Sequence, residues 1–173
     1  AGPPFLDPDQ LQKRATGGSE WTAPIEPDPR AAILHLKQQL TQKGIALIIV
    51  PTPIKAMIHP EKLYPRTIGR QTELQNPSYQ RFKEEMEREG VLVFDAAPVL
   101  MGAKAKEGQA QYLAADTHWR PEAVELAAEE LKSFIRKHVP LPYLSPPGYR
   151  AERSGMTQLG DLAVMLGLPV NQR

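Results

Sequence analysis

A carboxylate placed two residues before an imidazole in a turn can accept the imidazole Nδ1 proton. That contact fixes the tautomer and leaves Nε2 free to act as a general base. Asp116 and His118 have this spacing in the segment Asp116-Thr117-His118-Trp119. The pair is one half of a catalytic triad, whose other half is a hydroxyl nucleophile. The same residues also have a purely structural reading, in which Asp116 caps a turn and His118 packs on Trp119. Asp-x-His triplets are common, so spacing alone leaves both readings open.

The elements around the pair read as α/β. At Asp28-Pro29 an N-cap residue precedes a first-turn proline, and Ile33, Leu36 and Leu40 then recur at helical spacing up to Lys43-Gly44. The apolar run from Ile45 to Val50 follows, which predicts a strand covered on both faces. The pattern repeats in a polar helix from Ser78 to Glu89, a closing Gly90, and a second buried strand from Val91 to Phe94 that ends at Asp95. Two such units predict a parallel sheet. A short helix is expected from Ala97 to Lys106. The Asp116–Trp119 segment then leads into a long helix from Pro121, with Val124, Ala127, Ala128, Leu131, Phe134 and Ile135 as its buried stripe. A Pro-rich loop from Val139 to Gly148 precedes a last amphipathic stretch, Met156 to Leu166, with Leu159, Leu162, Met165 and Leu166 on one face. The pair therefore sits at a strand-to-helix junction, where open α/β sheets build their sites.

Composition narrows the function. Net charge is +1 and the four histidines are scattered, so nucleic acid is a poor partner for this chain. Cysteine is absent, which removes thiolate catalysis, disulfides and zinc-cysteine sites. His35, His59 and His138 have no metal-ligand spacing and read as structural or exposed. No apolar run is long enough to span a bilayer, and no signal peptide is visible. Residues 1–27 are rich in proline and glycine and read as an extended lead-in, anchored by Trp21 and Ile25; residues 28–173 read as one domain.

Three ordered motifs carry a resemblance. Asp116-Thr117-His118-Trp119, followed by Pro121-Glu122-Ala123, resembles the Asp-x-His-Trp signature of the alginate O-acetyltransferase family of SGNH-like enzymes. Upstream, the strand entering Pro51-Thr52-Pro53-Ile54-Lys55, with His59-Pro60, is similar to that family's first strand and proline-lysine loop. Downstream, the run from Gly160 to Leu166 resembles the segment preceding the family's nucleophile strand. The likeness covers Ile33 to Pro169. Arg120 departs from it, standing where the family often has a small hydroxyl residue that could cap the helix.

The resemblance implies a flavodoxin-like or SGNH-like three-layer sandwich with a mainly parallel sheet, incomplete within this chain because only two strands are visible. It implies that Asp116 is the orienting acid and His118 the general base of a Ser-His-Asp triad. The activity implied is transfer of acetyl groups to hydroxyls of an exported polysaccharide in the periplasm, with a membrane-bound acyltransferase passing on the acetyl donor. No metal or bound cofactor is needed for that chemistry. Ser145 and Ser154 lie in loops and match no nucleophile motif, so the serine is expected outside this chain, which alone is expected to be inactive. Lys55 and Trp119 are substrate-binding candidates. Lys55 suits an anionic sugar or an ordinary salt bridge; Trp119 suits a site wall or the core. Asp95 ends a strand where sites form, or simply caps the next helix. An acetyl esterase uses the same machinery, and a catalytically silent carbohydrate-binding or scaffold domain is the alternative from another class.

Overall fold

The computed structural model describes residues 28–142, 148, 150, 152, 154–155, 157 and 159–167. The lead-in with Trp21 and Ile25, and Ser145, lie outside the described residues. The chain separates into two compact units, Ala1–Leu47 and Ile48–Arg173.

In the first unit, helix α1 spans Arg30–Thr41. The Asp28 carboxylate accepts the Arg30 N–H at 3.0 Å, which satisfies one of the free donors at the helix start. Ile33 and Leu40 are half-buried as expected, while Leu36 is exposed and Leu34 takes a half-buried place instead. Gly44 closes the helix with φ of 69°, a left-handed conformation that glycine adopts without steric cost.

The second unit carries the sheet. Strand β1 (Ile48–Ile49) pairs in parallel with β2 (Leu92–Val93), with Ile48 opposite Leu92 and Ile49 opposite Val93. The parallel α/β arrangement expected from the sequence is thus present. The strands are shorter than their apolar runs. Ile45 and Val50 are exposed and Ile48 and Ile49 only half-buried, so the first strand is not covered on both faces; Val91, Val93 and Phe94 are buried as expected.

Helix α2 is a single turn, Lys55–Ile58, followed by 3-10 turns at Pro60–Lys62 and Pro65–Thr67. Helix α3 (Tyr79–Arg88) turns inward through Met86 and packs against β2. Asp95 accepts the Ala97 N–H at 3.0 Å and so serves as the cap of α4 (Ala97–Glu107). Helix α5 (Pro121–His138) packs on α4 through Ala123 and Ala127, and its Phe134 ring stands 5.5 Å from that of Phe94. Of the expected stripe, Ala127 is buried and Leu131, Phe134 and Ile135 are half-buried, whereas Val124 and Ala128 are exposed and Ala123 takes the inward place in the first turn. The last helix, α6, is only Asp161–Met165. Ala163 is its buried residue, while Met165 and Leu166 are exposed, opposite to the amphipathic expectation; Met156 lies outside the described residues.

Ile58, Ala97, Leu100, Met101, Tyr112 and Ala123 form one apolar cluster, with Trp119 packed on it. Ile58 and Leu100 are fully enclosed, and each such side chain contributes about 1.5–3 kcal/mol by leaving water. This cluster is the foundation of the loop described next.

Candidate active site

Tyr112 and Trp119 form an antiparallel bridge, closed by Leu113 N–H donating to the His118 carbonyl at 3.1 Å and Arg120 N–H to the Gln111 carbonyl at 3.0 Å. The residues between them make a tight loop that carries Asp116 and His118. Its base is rooted in the core. The Trp119 indole N–H donates to the Tyr112 hydroxyl at 2.7 Å, and that hydroxyl donates in turn to the Pro53 carbonyl, just beyond the carboxyl end of β1.

At the loop tip, Asp116 Oδ1 accepts both the His118 backbone N–H at 2.9 Å and His118 Nδ1 at 2.6 Å. The backbone bond holds the turn, and the ring bond sets Nδ1 as the protonated nitrogen, leaving a lone pair on Nε2. The Asp116 side chain is 8% exposed and that of His118 is 77% exposed. An imidazole so open is not packed on Trp119. The two hydrogen bonds from His118 hold the Asp116 carboxyl down at about 2. The same carboxylate raises His118 above its ordinary 6.5, chiefly through their hydrogen bond.

Lys55 has a different place from the sugar contact considered for it. Its Nζ donates to the carbonyls of Leu113 at 2.6 Å, Ala114 at 2.8 Å and Asp116 at 2.9 Å. An ammonium has three protons, and all three are engaged in holding the loop. Trp119 is half-buried and packs against the core cluster, its indole N–H given to Tyr112 and its ring edge-on to that tyrosine. Arg120 supplies no side-chain cap to α5. Ser154 is exposed, and no hydrogen bond joins it to His118 among the described residues.

Asp161 is the residue whose role the sequence did not reveal. Its carboxylate accepts the Thr117 N–H at 2.7 Å and the Thr117 hydroxyl, and its Oδ2 lies 3.5 Å from His118 Nδ1. The Gly160-Asp161 motif was visible, but its contact spans more than forty residues of chain. Asp116, His118 and Asp161 place one ligand-type atom each within 4.8 Å of one another. These atoms are committed to hydrogen bonds among themselves and with backbone N–H groups, so we assign no metal to them.

His59, read as structural or exposed, is buried and structural. Its Nε2 accepts the Gln111 N–H at 3.0 Å, so Nδ1 carries the proton and faces Glu61 Oε1 at 3.1 Å. Lys104 completes the group by donating to Glu61 and to the Ile58 carbonyl. Burial pushes the His59 pKa below 6.5 despite the pull of Glu61. A histidine kept neutral by the fold but free to take a proton when unfolded contributes stability above 6.5, which is lost as pH falls toward its folded pKa. His118 has the opposite sign: its contribution is present below 6.5 and is lost as pH rises through its raised folded pKa. The two windows do not overlap. Urea melts of this chain at stepped pH are expected to weaken below 6.5, and His59→Gln, which offers an acceptor near the Nε2 position without titrating, should flatten that decline. An unchanged slope in His59→Gln would assign the decline to other groups.

Comparison with known proteins gives a consistent result. The family described as SGNH hydrolase-like domain, acetyltransferase AlgX, matches residues 16–173. A probable alginate O-acetylase AlgJ of Pseudomonas syringae pv. tomato is 32% identical over 118 residues, covering 67% of this chain and 28% of that protein. The alginate biosynthesis protein AlgX of Pseudomonas aeruginosa is 25% identical over 122 residues, 70% of this chain and 25% of that protein. Among solved structures, the O-acetyltransferase domain of Pseudomonas putida AlgJ superposes with a TM-score of 0.59 at 25% identity, covering 82% of this chain and 49% of that one. The chain thus spans about a quarter of the length of these curated relatives and half of the solved domain.

Proposed function

This chain belongs to the SGNH hydrolase-like acetyltransferase family of AlgX, and from that premise we propose that it supplies the acid–base half of an O-acetyltransferase acting on an exported bacterial polysaccharide. One observation carries the reading: His118 Nδ1 is held by Asp116 Oδ1 at 2.6 Å while the rest of the ring stands open. In the reaction, His118 Nε2 takes the proton of a serine hydroxyl as that oxygen attacks the donor's acetyl carbonyl, and Asp116 stabilises the imidazolium that forms. The imidazolium gives that proton to the donor's leaving group as the acetyl-serine forms. His118 then takes the proton of a sugar hydroxyl whose oxygen attacks the acetyl-serine carbonyl, and returns it to the serine oxygen as the acetylated sugar departs. The serine comes from outside the described residues. The acetyl donor is a membrane-bound acyltransferase and the compartment is the periplasm; among the described residues no helix is long and apolar enough to cross a membrane itself.

The test uses the full gene product, alginate oligosaccharides as acceptor and an activated acetyl ester as donor, with mass spectrometry reading the gain of acetyl groups. A base must be neutral, so the rate is expected to fall as pH drops through the raised pKa of His118, placing the acid limb above 6.5. Asp116→Asn should move that limb to lower pH. Acetyl release to water with no transfer to any sugar would make the protein an esterase. Absence of both would return it to a binding or scaffold role.

A further inference from the structure

The turn that bears the pair is closed by a second segment, and the two are joined by a reciprocal set of bonds. Asp116 Oδ2 accepts the Asp161 N–H at 3.2 Å, while Asp161 Oδ1 accepts the Thr117 N–H at 2.7 Å. Leu162 N–H donates to the Ala115 carbonyl at 3.2 Å, and the Thr117 hydroxyl donates to Asp161 Oδ2. The approach is so close that a Cβ on Gly160 would stand 1.9 Å from the Ala115 carbonyl oxygen, so only glycine fits there. The bond to Asp116 Oδ2 fixes the rotation of that carboxylate, which keeps Oδ1 aimed at His118. Asp161 Oδ2 is also within 3.5 Å of His118 Nδ1.

We propose that Asp161 is a positioning residue of this site, holding the Asp116–His118 turn shut from the C-terminal side and presenting a second carboxylate oxygen to His118 Nδ1. The role goes beyond the Asp-His pair and rests on the acid–base reading of that pair. Two carboxylates so close repel each other. Here Thr117 N–H, Asp161 N–H and the His118 ring lie between them, and the Lys55 ammonium sits on the Asp116 carbonyl at 2.9 Å. The imidazolium formed during proton transfer therefore faces two negative groups, Asp116 and Asp161, which favours it more than one would.

The decisive measurement is NMR titration of the His118 ring in this chain, which reads the site without any turnover. Asp161→Asn retains an acceptor for the Thr117 N–H but removes the charge and turns a donor toward Nδ1. It is expected to lower the His118 midpoint with an unchanged thermal melt, and Asp161→Glu should restore part of the shift. Asp161→Ala should lower the midpoint further and sharpen the ring signals as the turn loosens. In the full gene product, Asp161→Asn is expected to reduce kcat about tenfold with KM little changed, since a small misplacement of a base costs rate more than binding. A His118 midpoint identical in wild type and Asp161→Asn, with both folded, would overturn the proposal. A shifted midpoint in a full gene product with no acetyl-transfer activity would leave Asp161 as the positioning residue and defeat the transferase reading instead.

Discussion

His118→Ala in the full gene product is expected to lower acetyl transfer by about a thousandfold or more, while its binding of the polysaccharide changes little. The expectation rests on what the ring alone provides. Asp116 Oδ1 fixes the proton on Nδ1, and no other described imidazole has a carboxylate at 2.6 Å beside an open Nε2. His59, the other histidine paired with a carboxylate, has both nitrogens enclosed, one by Gln111 and one by Glu61. Asp116→Asn should cost a comparable factor, because an amide that donates to Nδ1 reverses the tautomer and places the proton on Nε2. The double variant should be little worse than either single one, since residues acting as a unit lose their effect together. Ser154→Ala is expected to leave the rate unchanged, in keeping with a serine that is exposed and not bonded to His118. A chromogenic acetyl ester reads the rate, and circular dichroism establishes that each variant is folded. Wild-type turnover by His118→Ala would remove His118 from the chemistry altogether.

The pair was legible in the sequence because its contact is local. Two residues apart, Asp116 and His118 need only a turn to meet, and the Trp119 that follows roots that turn in the core. The helices with strong start and stop signals were legible for the same reason, from the Asp28 carboxylate on Arg30 to Gly90 before β2. What stayed hidden is non-local. Nothing in the spacing of Lys55 says that its ammonium will close on carbonyls nearly sixty residues away, and nothing in Gly160-Asp161 says that it docks on Ala115. Periodicity found the inward side of the long helix from Ala127 to Ile135 but misplaced residues at the edge of the stripe. The small residues Ala123 and Ala163 face the core, whereas the larger Val124 and Met165 stay outside. Close packing favours small side chains, and a hydrophobicity pattern favours large ones.

Lys55→Met is expected to be the most damaging substitution outside the Asp116–His118 pair, lowering kcat of the full gene product about a hundredfold and costing about 2 kcal/mol of stability. Three carbonyls of one loop converge on Nζ at 2.6–2.9 Å, and methionine preserves the length of the stem while removing every donor. A charge-assisted bond is worth about 1.5–3 kcal/mol, but two of the three are only partly buried and the third is exposed, so water takes over much of that contribution and the total is far below three such bonds. The rate suffers more than the stability. With its carbonyls released, the loop no longer presents the Asp116 carboxylate to His118 in one geometry, and a shift of about 1 Å in a reacting group costs on the order of a hundredfold. Lys55→Arg should rescue only in part, because a planar fork cannot direct three protons to one converging set of oxygens. A direct contact with an acidic sugar predicts a different outcome. In that case Lys55→Met would raise KM for alginate oligosaccharides and leave both kcat and the turnover of a neutral acetyl ester intact. Kinetics with the two substrates separate these roles, and an effect confined to KM for the acidic acceptor would show that Lys55 binds substrate and does not hold the loop.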